Sequence, residues 1–100
     1  MQLAKVVGSV VSTHKSDLLI GLKLLLLEKM DAGTATPQKD YIIAIDSVEA
    51  GAGDVVFYVT GSSARMTDNT KNKPTDATII AIVDSIDKDN EYVYQRGKES

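Results

Sequence analysis

The stretch D-S-V-E-A-G-A-G-D-V-V-F-Y-V-T-G-S-S-A-R, residues 46–65, decides the fold. It opens at the end of an apolar strand, residues 41–45 (Y-I-I-A-I). It breaks at Gly51 and Gly53, where glycine permits backbone angles that other residues resist. Residues 55–59 (V-V-F-Y-V) resume a second strand of β-branched and aromatic residues. Residues 61–65 (G-S-S-A-R) then make a sharp exit and one helical turn, capped by Ser62 or Ser63 through a backbone N–H. Neither strand alternates between apolar and polar residues. A strand in a small antiparallel domain usually wets one face, so both faces of these two are expected to be covered.

Working outward, residues 2–13 read as a first strand. Val6, Val7, Val10 and Val11 place apolar side chains on both of its faces, and Gly8 allows a bend or bulge. A polar loop follows over residues 13–17 and carries His14. Residues 21–30 contain Leu24, Leu25, Leu26 and Leu27 in one run, and leucine favours a helix by propensity. The short length and the flanking turn residues read instead as a strand, with the helix as the open alternative. As a strand, it sets Leu22, Leu24 and Leu26 on one face and Lys23, Leu25 and Leu27 on the other. Residues 32–40 read as a loop containing Gly33 and Pro37, and residues 67–75 as an exposed polar loop. A further two-faced strand covers residues 78–86, a turn residues 87–90, and a short last strand residues 92–94. A polar, frayed tail is expected from about residue 95.

The expected fold is all-β: a small five-stranded OB-like closed barrel with one short helical turn, in a single domain over residues 1–100. Closure removes the exposed strand edges but accounts for the inward faces alone. One member of each pair Leu24/Leu25, Ile42/Ile43, Val55/Val56 and Ile79/Ile80 points outward. Contiguous apolar surface of that kind marks an interface, so an obligate oligomer is expected.

Composition bounds the chemistry. The chain has 100 residues, 43% hydrophobic and 25% charged, enough for one core. The net charge of −3 lacks the basic footprint of a nucleic-acid binder. The absence of cysteine removes disulfides, thiolate catalysis and thiolate metal sites. Neither a signal-peptide pattern nor an apolar run of membrane-spanning length is visible, which reads as a soluble cytosolic protein.

The candidate sites are few. His14 titrates near neutrality but stands without the arranged partner a general base needs. Asp84, Asp87 and Asp89 lack the further oxygen ligands and terminal glutamate of a calcium loop, and read as turn residues around Asn90. Gly51-Ala52-Gly53 lacks the third glycine and following helix of a dinucleotide fingerprint. Gly61, Ser62, Ser63, Ala64 and Arg65 allow two readings. Free N–H groups beside an arginine hold an anion, or the guanidinium reaches an acidic group or backbone carbonyls on a neighbouring chain. A lone arginine makes a poor phosphate site, so the interface reading leads. Five aromatic residues without a basic groove make no stacking platform for single-stranded nucleic acid.

Several elements together resemble the EutN/CcmL family, pentameric vertex proteins of bacterial microcompartment shells. The opening M-Q-L-A-K-V-V-G-S-V-V-S-T and G-L-K-L-L-L-L at residues 21–27 are similar to the family's first two strands. Ala44, Asp46, Gly51, Gly53 and Asp54 match its A-x-D-x-x-x-A-G-x-G-[DE] element, and residues 61–65 its G-S-S-A-R signature. Pro74, Asp76, Ile82, Val83 and Asp84 match the closing proline, aspartate and I-V-D element. Glu49 departs by standing where many relatives carry glycine, and Val55-Val56 by replacing a common tryptophan.

The resemblance implies a homopentamer that caps fivefold shell vertices beside hexameric shell proteins, without catalytic residues, cofactor or metal. Under that reading, subunit contacts are expected through Gly61, Ser62, Ser63, Ala64 and Arg65, with Gly51 and Gly53 shaping the adjoining turn. Contacts to other shell components are expected from Asn72, Lys73, Pro74 and Asp76. No nucleic-acid or membrane partner is expected. The alternative is an OB-like binding module for nucleic acid or a small anionic ligand, which would show salt-sensitive binding.

Overall fold

The computed structural model describes residues 2–11, 21–61 and 77–97. Seven strands run through them: β1 (Gln2–Val10), β2 (Leu24–Asp31), β3 (Thr36–Asp46), β4 (Val55–Thr60), β5 (Ala77–Ile82), β6 (Ser85–Lys88) and β7 (Glu91–Gln95). The first five close a barrel in the order β1-β2-β3-β5-β4, with β4 returning to β1. Four of its seams are antiparallel; the β3–β5 seam is parallel and short, pairing Ile45 with Thr78 and Asp46 with Ile79.

Leu24–Leu27 are strand, so the helical alternative falls. Cross-strand burial overrides the leucine propensity: Leu25 pairs with Ala44 and Leu27 with Ile42, and these face the barrel interior. The interior also holds Ala4, Val6, Val56, Tyr58 and Ile79. A register shift between Val6 and Gly8 makes Val7 an extra residue on β1, the bulge anticipated beside Gly8.

Three expectations need correction. Residues 32–40 are not one loop. A tight turn, with the Ala35 N–H bonding the Asp31 carbonyl, returns the chain to strand at Thr36. Pro37 is tolerated opposite Met30 because the ladder shifts register between Glu28 and Met30. Residues 78–86 are two strands, because the chain leaves the barrel after Ile82. There the Val83 N–H bonds the Val55 carbonyl, and the Asp84 carbonyl accepts from the Arg96 N–H. Gln95 closes β7 and Arg96 binds back, so order continues past the expected start of the tail. The helical turn expected at residues 61–65 falls, after Gly61, outside the described residues, as does His14.

The β6–β7 hairpin lies over part of the barrel's outer surface. Leu3, Met30, Val55, Val83 and Tyr94 form a second buried cluster there, with Ala35, Phe57 and Ile86 packed against it. Val55 and Val56 are thus both fully buried, Val56 inside the barrel and Val55 under the hairpin. At Val55 the chain itself supplies the cover that the unalternating sequence calls for.

Candidate functional site

The remaining outer surface lies on β2 and β3. Residues paired across an antiparallel ladder share a face, so Leu26 with Ile43 and Glu28 with Tyr41 define the outward side. Ile43 is 51% and Tyr41 53% exposed, and Val7 protrudes at the β1 bulge nearby. Leu24 and Leu26 are half-buried on the same side. The arrangement is an apolar sheet face bordered by charge: Glu28 accepts from the Lys39 N–H, and Lys29 pairs with Asp40 at 3.3 Å. Its chemistry is that of a contact surface.

The β2–β3 ladder ends in a polar cleft, where alternation sets Asp46 on the inward side with Ala44. The Asp46 N–H bonds the Lys23 carbonyl at 2.9 Å, holding the two chain segments together. Asp46 Oδ1 accepts from the Val48 N–H, and the Ser47 hydroxyl donates to the Ile79 carbonyl. Lys23 Nζ donates to the Ala50 carbonyl at 3.1 Å and stands 3.6 Å from Asp46 Oδ2, an ion pair too long for a hydrogen bond. Among the described residues, Asp46 Oδ2 is buried with no hydrogen-bond partner. The cleft, about 540 Å³, is lined by Gly21, Leu22, Lys23, Asp46, Ser47, Val48 and Glu49.

The turn that follows is anchored to β1. The Val6 N–H bonds the Asp54 carbonyl and the Gly53 N–H bonds the Val6 carbonyl, each at 2.8 Å. Asp54 Oδ2 accepts from the Gly51 N–H at 2.9 Å, and Oδ1 lies 3.3 Å from Arg96 Nε. Arg96 also faces Asp84, so two acidic motif positions, Asp54 and Asp84, meet at one guanidinium. Sequence reasoning missed Arg96, because nothing in the sequence near residue 96 shows that the last hairpin folds back to the turn.

Of the expected contact residues, Gly51, Gly53 and Gly61 are described; Ser62, Ser63, Ala64, Arg65, Asn72, Lys73, Pro74 and Asp76 lie outside the described residues. Gly53 (φ 88°) and Gly61 (φ 66°) use the left-handed backbone region. Gly51 does not, which corrects the reading that its role is conformational freedom; it serves as the donor to Asp54. In the same turn Glu49 also takes the left-handed region, at φ 60°, which was not anticipated. Among the described residues no group of three or more His, Asp or Glu side chains is placed to hold a metal.

Residues 1–84 match the family model described as ethanolamine utilisation protein EutN/carboxysome. The chain is 40% identical over 97 residues to the carboxysome shell vertex protein CcmL of Thermosynechococcus vestitus, covering 96% of each chain. It is 44% identical over 89 residues to the microcompartment shell vertex protein PduN of Salmonella typhimurium, covering 86% of this chain and 98% of that one. Among solved structures, the pentameric microcompartment shell protein GrpN of Rhodospirillum rubrum superposes with a TM-score of 0.79 at 36% identity. That alignment covers 88% of this chain and 99% of GrpN.

Proposed function

The chain belongs to the EutN/CcmL family, and from that membership we propose that it is a structural shell protein whose homopentamers cap the fivefold vertices of a bacterial microcompartment. Its place is the shell, within the bacterial cytoplasm. The observation that carries the reading is the uncovered apolar face of Leu26, Ile43 and Tyr41 on an otherwise well-buried barrel. A neighbouring subunit covers that face in a ring closed by a heterologous interface, in which each subunit offers one surface to the next. Gly61, Ser62, Ser63, Ala64 and Arg65 contribute to the subunit contact, and Gly51 and Gly53 shape the turn beside it. Asn72, Lys73, Pro74 and Asp76 face hexameric shell proteins. The protein's contribution is a surface, without catalysis or cofactor.

Native mass spectrometry of the purified protein at low micromolar concentration tests the reading. A five-subunit species supports it. A hexamer would retain the shell and remove the vertex role, and a stable monomer would overturn both. Arg65→Ala removes a multi-donor side chain from the contact and is expected to shift the distribution toward smaller species at equal concentration. An unchanged stoichiometry on dilution would remove Arg65 from the interface.

A further inference from the structure

We infer that Tyr92, on the outer side of the β6–β7 hairpin, docks on the apolar β2–β3 face of a second copy of this chain, so that the hairpin of each subunit covers the sheet face of the next. This rests on the pentameric reading above and names the counter-surface that reading leaves unassigned. The first argument is symmetry. A ring closed by a heterologous interface joins two different patches of one subunit, whereas the Ile43 face set against its own copy would be isologous and stop at two chains. The counter-patch therefore lies away from that face. Among the described residues the exposed large apolar side chains are Val7, Tyr41 and Ile43, all at that face, with Val11 past the end of β1 and Tyr92 on the hairpin. The hairpin lies over a different seam of the barrel, β1–β4, where it covers the cross-strand pair Leu3 and Phe57.

The second argument is how Tyr92 comes to be exposed. Residues two apart on a strand ordinarily share a face, yet Tyr94 is buried against the barrel and Tyr92 is 63% exposed. Tyr94 pairs with Ile86 and Tyr92 with Asp87, which leaves Val93 as an extra residue on β7. That bulge turns Tyr92 to the outer side with Asp87. A ring aimed at water forfeits its burial, and a neighbouring chain restores it. Tyrosine suits the task, because it brings a large rigid surface with a polar tip. The third argument is charge. Asp87, Asp89 and Glu91 stand around Tyr92, all exposed, against the single cation Lys88. At the sheet face Glu28 lies opposite Lys5 and Lys29 pairs with Asp40, while Lys39, two residues before Tyr41, is exposed and has no ion pair among the described residues. An acidic rim on the hairpin and a free ammonium beside the face favour one docking register over others.

The test uses the full-length assembled protein. The chain has no cysteine, so introduced thiols report alone. The double variant Ile43→Cys/Tyr92→Cys is treated with a short bismaleimide, which bridges two thiols, and run on a denaturing gel. The inference expects a ladder of linked chains reaching five, and single chains from Ile43→Cys or Tyr92→Cys alone. A five-subunit species in native mass spectrometry that gives no ladder overturns the inference and leaves the pentamer standing. A ladder from Ile43→Cys alone, or from Ile43→Cys/Val11→Cys in place of the Tyr92 pair, would put another surface on the face and overturn it too. Tyr92→Ala gives a readout that needs no chemical link. Native mass spectrometry on a dilution series yields the concentration at which half the pentamer has dissociated, and the variant is expected to raise it at least about tenfold, as loss of an aromatic anchor does. Because Tyr92 lies outside the buried clusters, its far-ultraviolet circular dichroism should stay that of wild type. An unchanged midpoint overturns the inference. A wild-type protein without a pentamer would overturn the parent reading, and this inference with it.

Discussion

Glu49 and Gly53 bend the backbone between β3 and β4, and both occupy the left-handed region, where a side chain costs about 1–2 kcal/mol. A glycine at the position of Glu49 would meet this backbone angle without the penalty of a Cβ. Glu49→Gly relieves the strain at a smaller cost in unfolded-chain entropy, with an expected gain of roughly 0.5–1 kcal/mol in denaturant unfolding. Gly53→Ala, whose added methyl group meets nothing within 4 Å, is expected to lose roughly 1 kcal/mol from conformation alone. The bend itself was legible in the sequence. Its mechanism was not, because a glycine's identity says which angles are open and the neighbouring hydrogen bonds decide which are used. Tyr58 is a second case. It is fully buried, and its hydroxyl donates to Gln2 Oε1 at 2.7 Å. Burial pushes its pKa above the ordinary 10.0, while the Lys29 ammonium lowers it and Asp40 raises it. Above pH 10 the unfolded chain has therefore lost a proton that the folded chain keeps, so unfolding releases it and stability falls as pH rises. Thermal melts at fixed protein concentration should show Tyr58→Phe less sensitive than wild type above pH 10. At pH 8 the variant should be about 1 kcal/mol weaker for the lost hydrogen bond.

At the scale of elements, the β6–β7 hairpin departs most from sequence expectation. Asp84 and Ser85 interrupt the apolar residues between Val83 and Ile86, but no glycine or proline marks a break after β5. The break is tertiary: Val83 bonds β4, and Asp84 bonds Arg96. A two-stranded hairpin is marginal alone, and this one holds its place through Tyr94 and Ile86 against Leu3 and Val55. The Arg96 ion pairs are half-exposed and add little beside that packing. Tyr94→Ala is expected to cost about 3 kcal/mol in denaturant unfolding, in the range for removing a buried aromatic side chain. A loss below about 1 kcal/mol would mean that the hairpin is not what covers Val55.

At the scale of the whole molecule, the absence of alternation in the strands foretold more apolar surface than a barrel interior can absorb. What it left open was how that surface divides between the chain's own hairpin and a neighbour. Val55 and Phe57 go to the hairpin, whereas Ile43 and Tyr41 stay uncovered. That division is set by where residues 85–95 land, which no local pattern in residues 41–59 encodes. Ile43→Glu puts a charge on the uncovered face and leaves the barrel interior untouched. It is expected to abolish the five-subunit species at low micromolar concentration while the far-ultraviolet circular dichroism stays that of a β protein. A pentamer that survives the change would place the subunit contact elsewhere.

The strand order also has a consequence for the chain as it is made. β1 lies between β2 and β4, pairing Lys5 with both Glu28 and Val55. When the first 46 residues have left the ribosome, β1, β2 and β3 can form a three-stranded meander, but one edge of β1 and the core side of the sheet have no partner. Relief arrives with β4, and the outer cover of Leu3 only with the last hairpin. The nascent protein is thus most open to mispairing in the interval before residue 55 emerges, and a pause in translation there would lengthen its exposure.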